Sequence, residues 1–367
     1  MHWRHAPVFR GLFNLALAQT LSGHHEASLS TLNLLLDKGI DFGADELDEF
    51  AALRELDGWQ AYTEDLKRLY APVGSAAIHA RYGEPNFVPE GIAIGDDGTL
   101  YLGSIHTGQL IKLGHSARVL SIRDSHWSVF GMRLHPDGSL WFASAAVPQL
   151  QDVGEDEGKT GLFRLDVENG EISKAAVLPQ YEPAQVLGDL IIADANTIYA
   201  TDSLTGAIYR YYVDSNEFEI FVERGRLGSP QGLVLDASGD YLYVADYIGG
   251  LFRVSVQDGS MTKVQVPGDI SDYGIDGLYR KGNELLLIQN GIRPHRVVAL
   301  QLSDSGRAVT TGRVLASNLD GFDEPTLGTV HGDDFYFVAN SHWNRFDADN
   351  QLPDGLTGPL ILRIPLQ

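Results

Sequence analysis

Apolar residues follow two different periods along the 367-residue chain, and the change falls near residue 72. Over residues 8–70 they recur at helical spacing. Leu12, Leu15, Ala16 and Gln19 predict a first helix that ends at Ser22-Gly23, and Leu29, Leu32, Leu35 and Leu36 a second that ends at Gly39. Asp45 is a candidate cap for a third helix carrying Leu47, Phe50 and Leu53. Asp57 is one for a fourth, with Trp59, Tyr62, Leu66 and Leu69. Ala71-Pro72-Val73-Gly74 then breaks the pattern, so residues 1–72 read as a helical appendage and 73–367 as the main domain.

Beyond the break the period is two, and one unit recurs: an apolar strand, an Asp/Asn-Gly turn, a strand with Tyr or Trp, a Gly turn, then two more strands. Its copies begin PEGIAIGDDGTLYLGS (89–104), FGMRLHPDGSLWFAS (130–144), GDLIIADANTIYATDS (188–203), PQGLVLDASGDYLYVAD (230–246), IDGLYRKGNELLLIQN (275–290) and DEPTLGTVHGDDFYFVAN (323–340). The equivalent positions Glu90, Phe130, Gly188, Gln231, Asp276 and Asp323 are 40, 58, 43, 45 and 47 residues apart. Four strands every 40–50 residues predict a mainly β fold, a six-bladed β-propeller with a small helical appendage. The one long spacing contains an insertion, 148–160, with Glu155-Asp156-Glu157. The chain ends after the third strand of the sixth blade, which leaves an edge open unless another segment pairs with it. Residues 76–81 (AAIHAR) alternate suitably and are predicted to close the ring.

Propeller geometry brings the starts of the innermost strands and the turns after the second strands to one rim. That rim carries Glu90, Asp189, Gln231, Asp276, Asp323 and Glu324, together with His106, His126, His295, His342 and Arg293. Carboxylates gathered near an axis repel, and a cation would hold them together. Hard oxygen donors favour calcium, with magnesium, manganese or zinc as alternatives. Glu90, Asp189, Gln231 and Asp276 are the candidate ligands; the other reading is that they cap turns. Each rim histidine, or Glu324, is a candidate general base and Arg293 a candidate for orienting an oxyanion, against the alternative of ordinary surface contacts. Trp127, Tyr247 and Trp343 are candidate pocket walls or plain blade packing, and the insertion is a candidate lid.

Composition narrows the chemistry. The chain has no cysteine, which removes disulfides, thiolate metal sites and cysteine nucleophiles. Its formal charge of -22 argues against nucleic acid and suits a cation and a small-molecule substrate. No run approaches a membrane span. Residues 11–18 have the outline of a signal-peptide core, but Arg10 and Asn14 interrupt it and a helix fits better, which leaves bacterial cytoplasm and periplasm both open. Several strings fail as motifs. His24-His25-Glu26 lacks the second histidine of a metalloprotease helix, 154–160 is one residue short of a phosphate loop, and 347–352 lacks the EF-hand glycine.

The six units resemble the gluconolactonase/senescence-marker-protein family of six-bladed propellers and, more distantly, paraoxonases, diisopropylfluorophosphatase and strictosidine synthase. In that family an axial calcium-type ion is held by a Glu in an E-G-P-like string, Asn in N-D and N-G strings, and Asp in a D-G string. Glu90-Gly91 and Asp276-Gly277 match the first and last; Gln231-Gly232 stands for N-G, and Gly188-Asp189 has lost the Asn of N-D. The first helical pair resembles a single tetratricopeptide hairpin, through Asn14-Leu15-Ala16, Ala18, Gly23, Ala27 and Leu32. One such repeat cannot bury its own face, so it is expected to pack on the propeller or on a protein partner. The resemblance implies a metal-dependent hydrolase of lactones or esters, with promiscuity toward phosphotriesters. The alternative is a non-catalytic propeller that binds a small molecule or peptide, its helices docking a partner.

Overall fold

The structure, a computed structural model, describes residues 7–114, 117–120, 127–268 and 270–366. Its strands form six antiparallel sheets among the described residues, the blades of a propeller. Blades one to five run outward in chain order from inner strands Pro89–Ile94, Ser128–Leu134, Leu187–Ile192, Pro230–Leu235 and Ile275–Lys281. Blade six starts at Gly328–His331, and its outermost place is taken by Ala77–Arg81, paired antiparallel with Leu360–Pro365. The inner strand of blade six therefore begins four residues later than its sequence alignment predicts. Leu327-Gly328, not Asp323-Glu324, is the counterpart of Glu90-Gly91, because 323–327 is spent on the loop that enters the blade.

The inner strands of blades one to five share one irregularity. Their pairing with the second strand slips at Pro89/Ile92, Val129/Met132, Leu187/Asp189, Pro230/Leu233 and Ile275/Gly277. Such bulges release residues from the ladder and re-aim their side chains. The released residues include Glu90, Phe130, Gly188, Gln231 and Asp276, all at the axis. Glycines follow because neighbouring backbone passes close: a Cβ on Gly91 would lie 2.1 Å from the Phe130 carbonyl oxygen, and one on Gly232 2.3 Å from the Leu278 nitrogen.

The helical segment comprises α1 (Pro7–Leu21), α2 (His25–Leu36), a 3-10 turn at Asp48–Glu55 and α3 (Trp59–Leu69). The buried stripe of α1 is Phe9, Phe13, Ala16 and Thr20, while Leu15 is 48% exposed, so the face is rotated from the one the leucines predict. Bulky phenylalanines one turn apart take the core, and Thr20 fits there because its hydroxyl bonds the Ala16 carbonyl and Ser28. Asp45 and Asp57 cap nothing: the 3-10 turn starts after Leu47 and α3 after Gly58, each without a side-chain cap. The chain leaves α2 through a Schellman turn, Gly39 N–H to Leu36 and Ile40 N–H to Leu35, with Gly39 left-handed at φ 64°.

These helices are welded to blade five. Ile292 and Tyr273 join the helical core, and Phe9 meets Tyr273 edge-on with centroids 5.2 Å apart. Arg296 donates to the Gly39 carbonyl at 3.0 Å, and Asp41 N–H to the Arg293 carbonyl at 2.9 Å. Val73–Gly74 adds a fifth strand to that blade, and Asn318 donates to the Leu69 carbonyl at 3.1 Å.

Candidate active site on the propeller axis

The released residues of the inner strands converge on an axial pocket. Glu90, Gln231 and Asp276 line it, with Asp189 beside Gly188 and Glu324 reaching in from the loop before Leu327. Loops supply Tyr247, Asn290 and Trp343, which enter from the turns after the second strands of blades four, five and six. The space within it is narrow, about 30 Å³, with room for an ion or ordered water.

Each carboxylate spends one oxygen on a protein donor. The Trp343 indole donates to Glu90 Oε2 at 2.6 Å, and the Asn290 amide to Asp276 Oδ2 at 2.7 Å. The Asn344 N–H donates to Glu324 Oε2 at 2.7 Å, and Arg133 to Asp189 Oδ2 at 3.0 Å. Two buried oxygens, Asp189 Oδ1 and Asn290 Oδ1, have no partner. Glu324 holds its place with φ 55°, a left-handed conformation in which a non-glycine residue is strained.

The charges divide the pocket. Burial pushes the Glu90 carboxyl well above its ordinary range, and the Asp276 charge pushes it further. Burial takes Asp276 up to about 7 against the opposing Asn290 bond. Glu324, half-buried, is also pushed up to about 7 by burial, with Asp323 and Asp276 adding to the effect. Burial raises Asp189 too, but there the Arg133 guanidinium pulls back. Arg133 crosses the axis below the pocket and lies over the Tyr279 ring, 5.3 Å from its centroid, so the floor is an Arg–Asp pair backed by an aromatic ring. Tyr247 is held as a neutral phenol by burial and by the charges of Asp276 and Glu324.

Three of the four candidate histidines stand elsewhere. His106 Nδ1 is 2.6 Å from the Gln149 carbonyl oxygen, a bond it must donate; His295 Nδ1 accepts the Glu324 N–H; and His342, itself left-handed at φ 62°, puts Nε2 2.9 Å from the Thr357 carbonyl. None of the three lines the axial pocket, because the turns that carry them aim their rings at backbone carbonyls or amides. His126 lies outside the described residues. Arg293 lines a side cleft rather than the axis. Trp127 packs in blade two and donates to Asp156 at 2.8 Å, which pins the 148–160 insertion, whereas Tyr247 and Trp343 do wall the pocket. Arg133, which sequence reasoning missed, and Asn290, in the rim turn after the second strand of blade five, act directly on predicted residues. The signal for Arg133 was a charged residue near the end of a largely apolar inner strand.

A family model described as SMP-30/gluconolactonase/LRE-like region matches residues 86–271, just over half of the chain and the span of the first four blades. The chain belongs to the SMP-30/gluconolactonase/LRE-like family. No curated protein matches its sequence. Among solved structures it resembles a gluconolactonase of Xanthomonas campestris at 15% identity and TM-score 0.53, covering 81% of this chain and 92% of that one. It also resembles a regucalcin of Agrobacterium tumefaciens, described as calcium-binding, at 16% identity and TM-score 0.54, covering 78% and 94%. A virginiamycin B lyase of Staphylococcus aureus is similar at 13% identity and TM-score 0.51, covering 80% and 100%. At these identities the likeness establishes the shared propeller; within the SMP-30/gluconolactonase/LRE-like family, chemistry rests on the axial residues themselves.

The donor chemistry of the pocket fits a hard divalent cation. Its oxygens are carboxylate and amide, three carboxyls are pushed toward protonation, and one amide oxygen that faces them is buried without a partner. Among the described residues no three His, Asp or Glu form a metal cluster by themselves, so an ion there would depend on amide oxygens as well. Among the described residues, too, no helix is long and apolar enough to cross a membrane.

Proposed function

We propose that the protein is a metal-dependent hydrolase of lactones or esters, with phosphotriesters as secondary substrates. The observation that carries this is the trio Glu90, Asp276 and Glu324, gathered around one narrow pocket that no Lys or Arg lines among the described residues. Glu90 and Asp276, with the amide oxygens of Gln231 and Asn290, would hold a divalent cation, calcium first among the alternatives. When bound, such an ion polarises a carbonyl or phosphoryl oxygen and lowers the pKa of water.

The chain's own residues do the rest. Glu324 takes the proton from the attacking water; a carboxyl near 7 is matched to that task at neutral pH. Trp343 fixes Glu90, Asn290 fixes Asp276, and the Asn344 N–H fixes Glu324, so the carboxylates are oriented before substrate arrives. Asp189 is paired with Arg133 and closes the floor, a structural part rather than a ligand. That pair also favours the opposed reading, a propeller that binds without turnover, since it removes one candidate ligand from the set.

The test is a melting curve of chelator-treated protein with calcium, magnesium, manganese or zinc restored, followed by lactone, ester and phosphotriester assays. A rise of several degrees with one ion, together with turnover that Glu90→Ala and Asp276→Ala both abolish, is the expected result. Absence of any ion-dependent shift sinks the hydrolase mechanism and leaves the binding reading.

A further inference from the structure

The axial pocket is narrow, about 30 Å³, with room for the reacting end of a substrate rather than for its whole body. Next to it, between the end of α3, the 290–295 loop of blade five and the loops of blade six, is an open cleft of about 330 Å³. The two cavities share walls through neighbouring residues: Asp323 faces the cleft and Glu324 the pocket, and Asn344 the cleft and Trp343 the pocket. His295, in the cleft wall, accepts the backbone N–H of Glu324.

The charge of this cleft runs against that of the molecule. In a chain of formal charge -22 its lining contains Arg293, Arg345 and one carboxylate, Asp323. Arg345 is paired with Asp323 at 2.8 Å, which leaves Arg293 as a surplus cation that makes no ion pair among the described residues. Its backbone is held by the helical segment: the Asp41 N–H donates to the Arg293 carbonyl at 2.9 Å, and Ile292 is buried in the helical core. Tyr70, the residue after α3, forms the opposite wall with its hydroxyl bonded to Asp41 at 2.9 Å, and Pro294 and Phe322 add apolar surface. An exposed arginine on a fixed backbone beside a catalytic pocket is a preorganised partner for a planar anion, because the guanidinium fork matches a carboxylate in two parallel bonds.

We infer that this cleft is a subsite for a free carboxylate carried on the substrate away from its reacting group, with Arg293 as counter-ion. In naming lactones and esters this rests on the function proposed above. The substrates are then lactones or esters that bear a second, free acid, and the helical segment serves recognition by setting one wall and fixing Arg293.

The subsite can be read without turnover. Titration calorimetry of the full chain with glutarate, its dimethyl ester and inorganic phosphate should show saturable binding of glutarate alone. Arg293→Gln should weaken it at least about tenfold, with Arg293→Lys intermediate and both variants melting with the wild type. Equal glutarate affinity in Arg293→Gln, tighter binding of phosphate, or no saturation by glutarate would each overturn the inference. In turnover, a γ-lactone with a ring carboxylate should be preferred over its methyl ester through KM, and Arg293→Gln should erase that preference. If neither lactone is hydrolysed while glutarate still binds through Arg293, the hydrolase reading falls and the anion subsite stands.

Discussion

Asp189 and Asp276 are the same residue type at the starts of two inner strands of one propeller, facing one pocket, and their surroundings treat them oppositely. Asp189 has a guanidinium at 3.0 Å from the neighbouring inner strand. Asp276 has an amide, and beyond it two more carboxylates. One half of the pocket is thus electrically closed, while the other stores unrelieved repulsion that protons or a cation must answer. Burial is common to both, so the partner decides the role.

The largest stability effect should come from opening the closed half. Arg133→Ala leaves Asp189 buried and unpaired and is expected to cost about 3–5 kcal/mol in denaturant unfolding. Asp189→Asn in the same chain should recover part of it, and an unchanged midpoint in Arg133→Ala would erase the distinction between the halves. On the open half, a cation at a hundredfold excess over Kd should add about 2.7 kcal/mol to wild-type stability and nothing to the Glu90→Ala/Asp276→Ala double variant.

The third prediction concerns pH. Asp276 and Glu324 titrate near 7 in the folded chain against ordinary values of 3.8 and 4.5. The folded state therefore holds protons that the unfolded state has already released, and stability falls as pH rises from about 4 to about 7, then levels. In chelator the melting temperature should drop by a few degrees across that window. A saturating cation, which replaces the protons, should flatten the drop, and Asp276→Asn should shrink it. A melting temperature that rises over the same window would contradict the open half as described. The smallest effect belongs to the helical clamp: Tyr70→Phe removes one hydrogen bond to buried Asp41 and should cost about 1 kcal/mol. Hydrogen exchange over residues 290–295 should show whether that loosening reaches the Arg293 loop.

Much of this was legible in the chain. Period-two alternation with Asp-Gly turns every 40–50 residues specified six blades, because a half-buried strand must alternate and a tight turn must take residues that tolerate it. The same repeat put Glu90, Gln231 and Asp276 on one rim, since equivalent positions of a ring meet at its axis. Tertiary structure alone decided the rest. Glu324 rather than Asp323 reaches the pocket because the loop before blade six is longer than the repeat and turns left-handed at Glu324. His106, His295 and His342 leave the site because irregular turns, not strand periodicity, set their direction. Arg133 meets Asp189 across two blades, 56 residues apart, a contact no local spacing encodes. A periodic sequence fixes which positions are equivalent; which charges face each other there depends on neighbours that only the closed ring brings together.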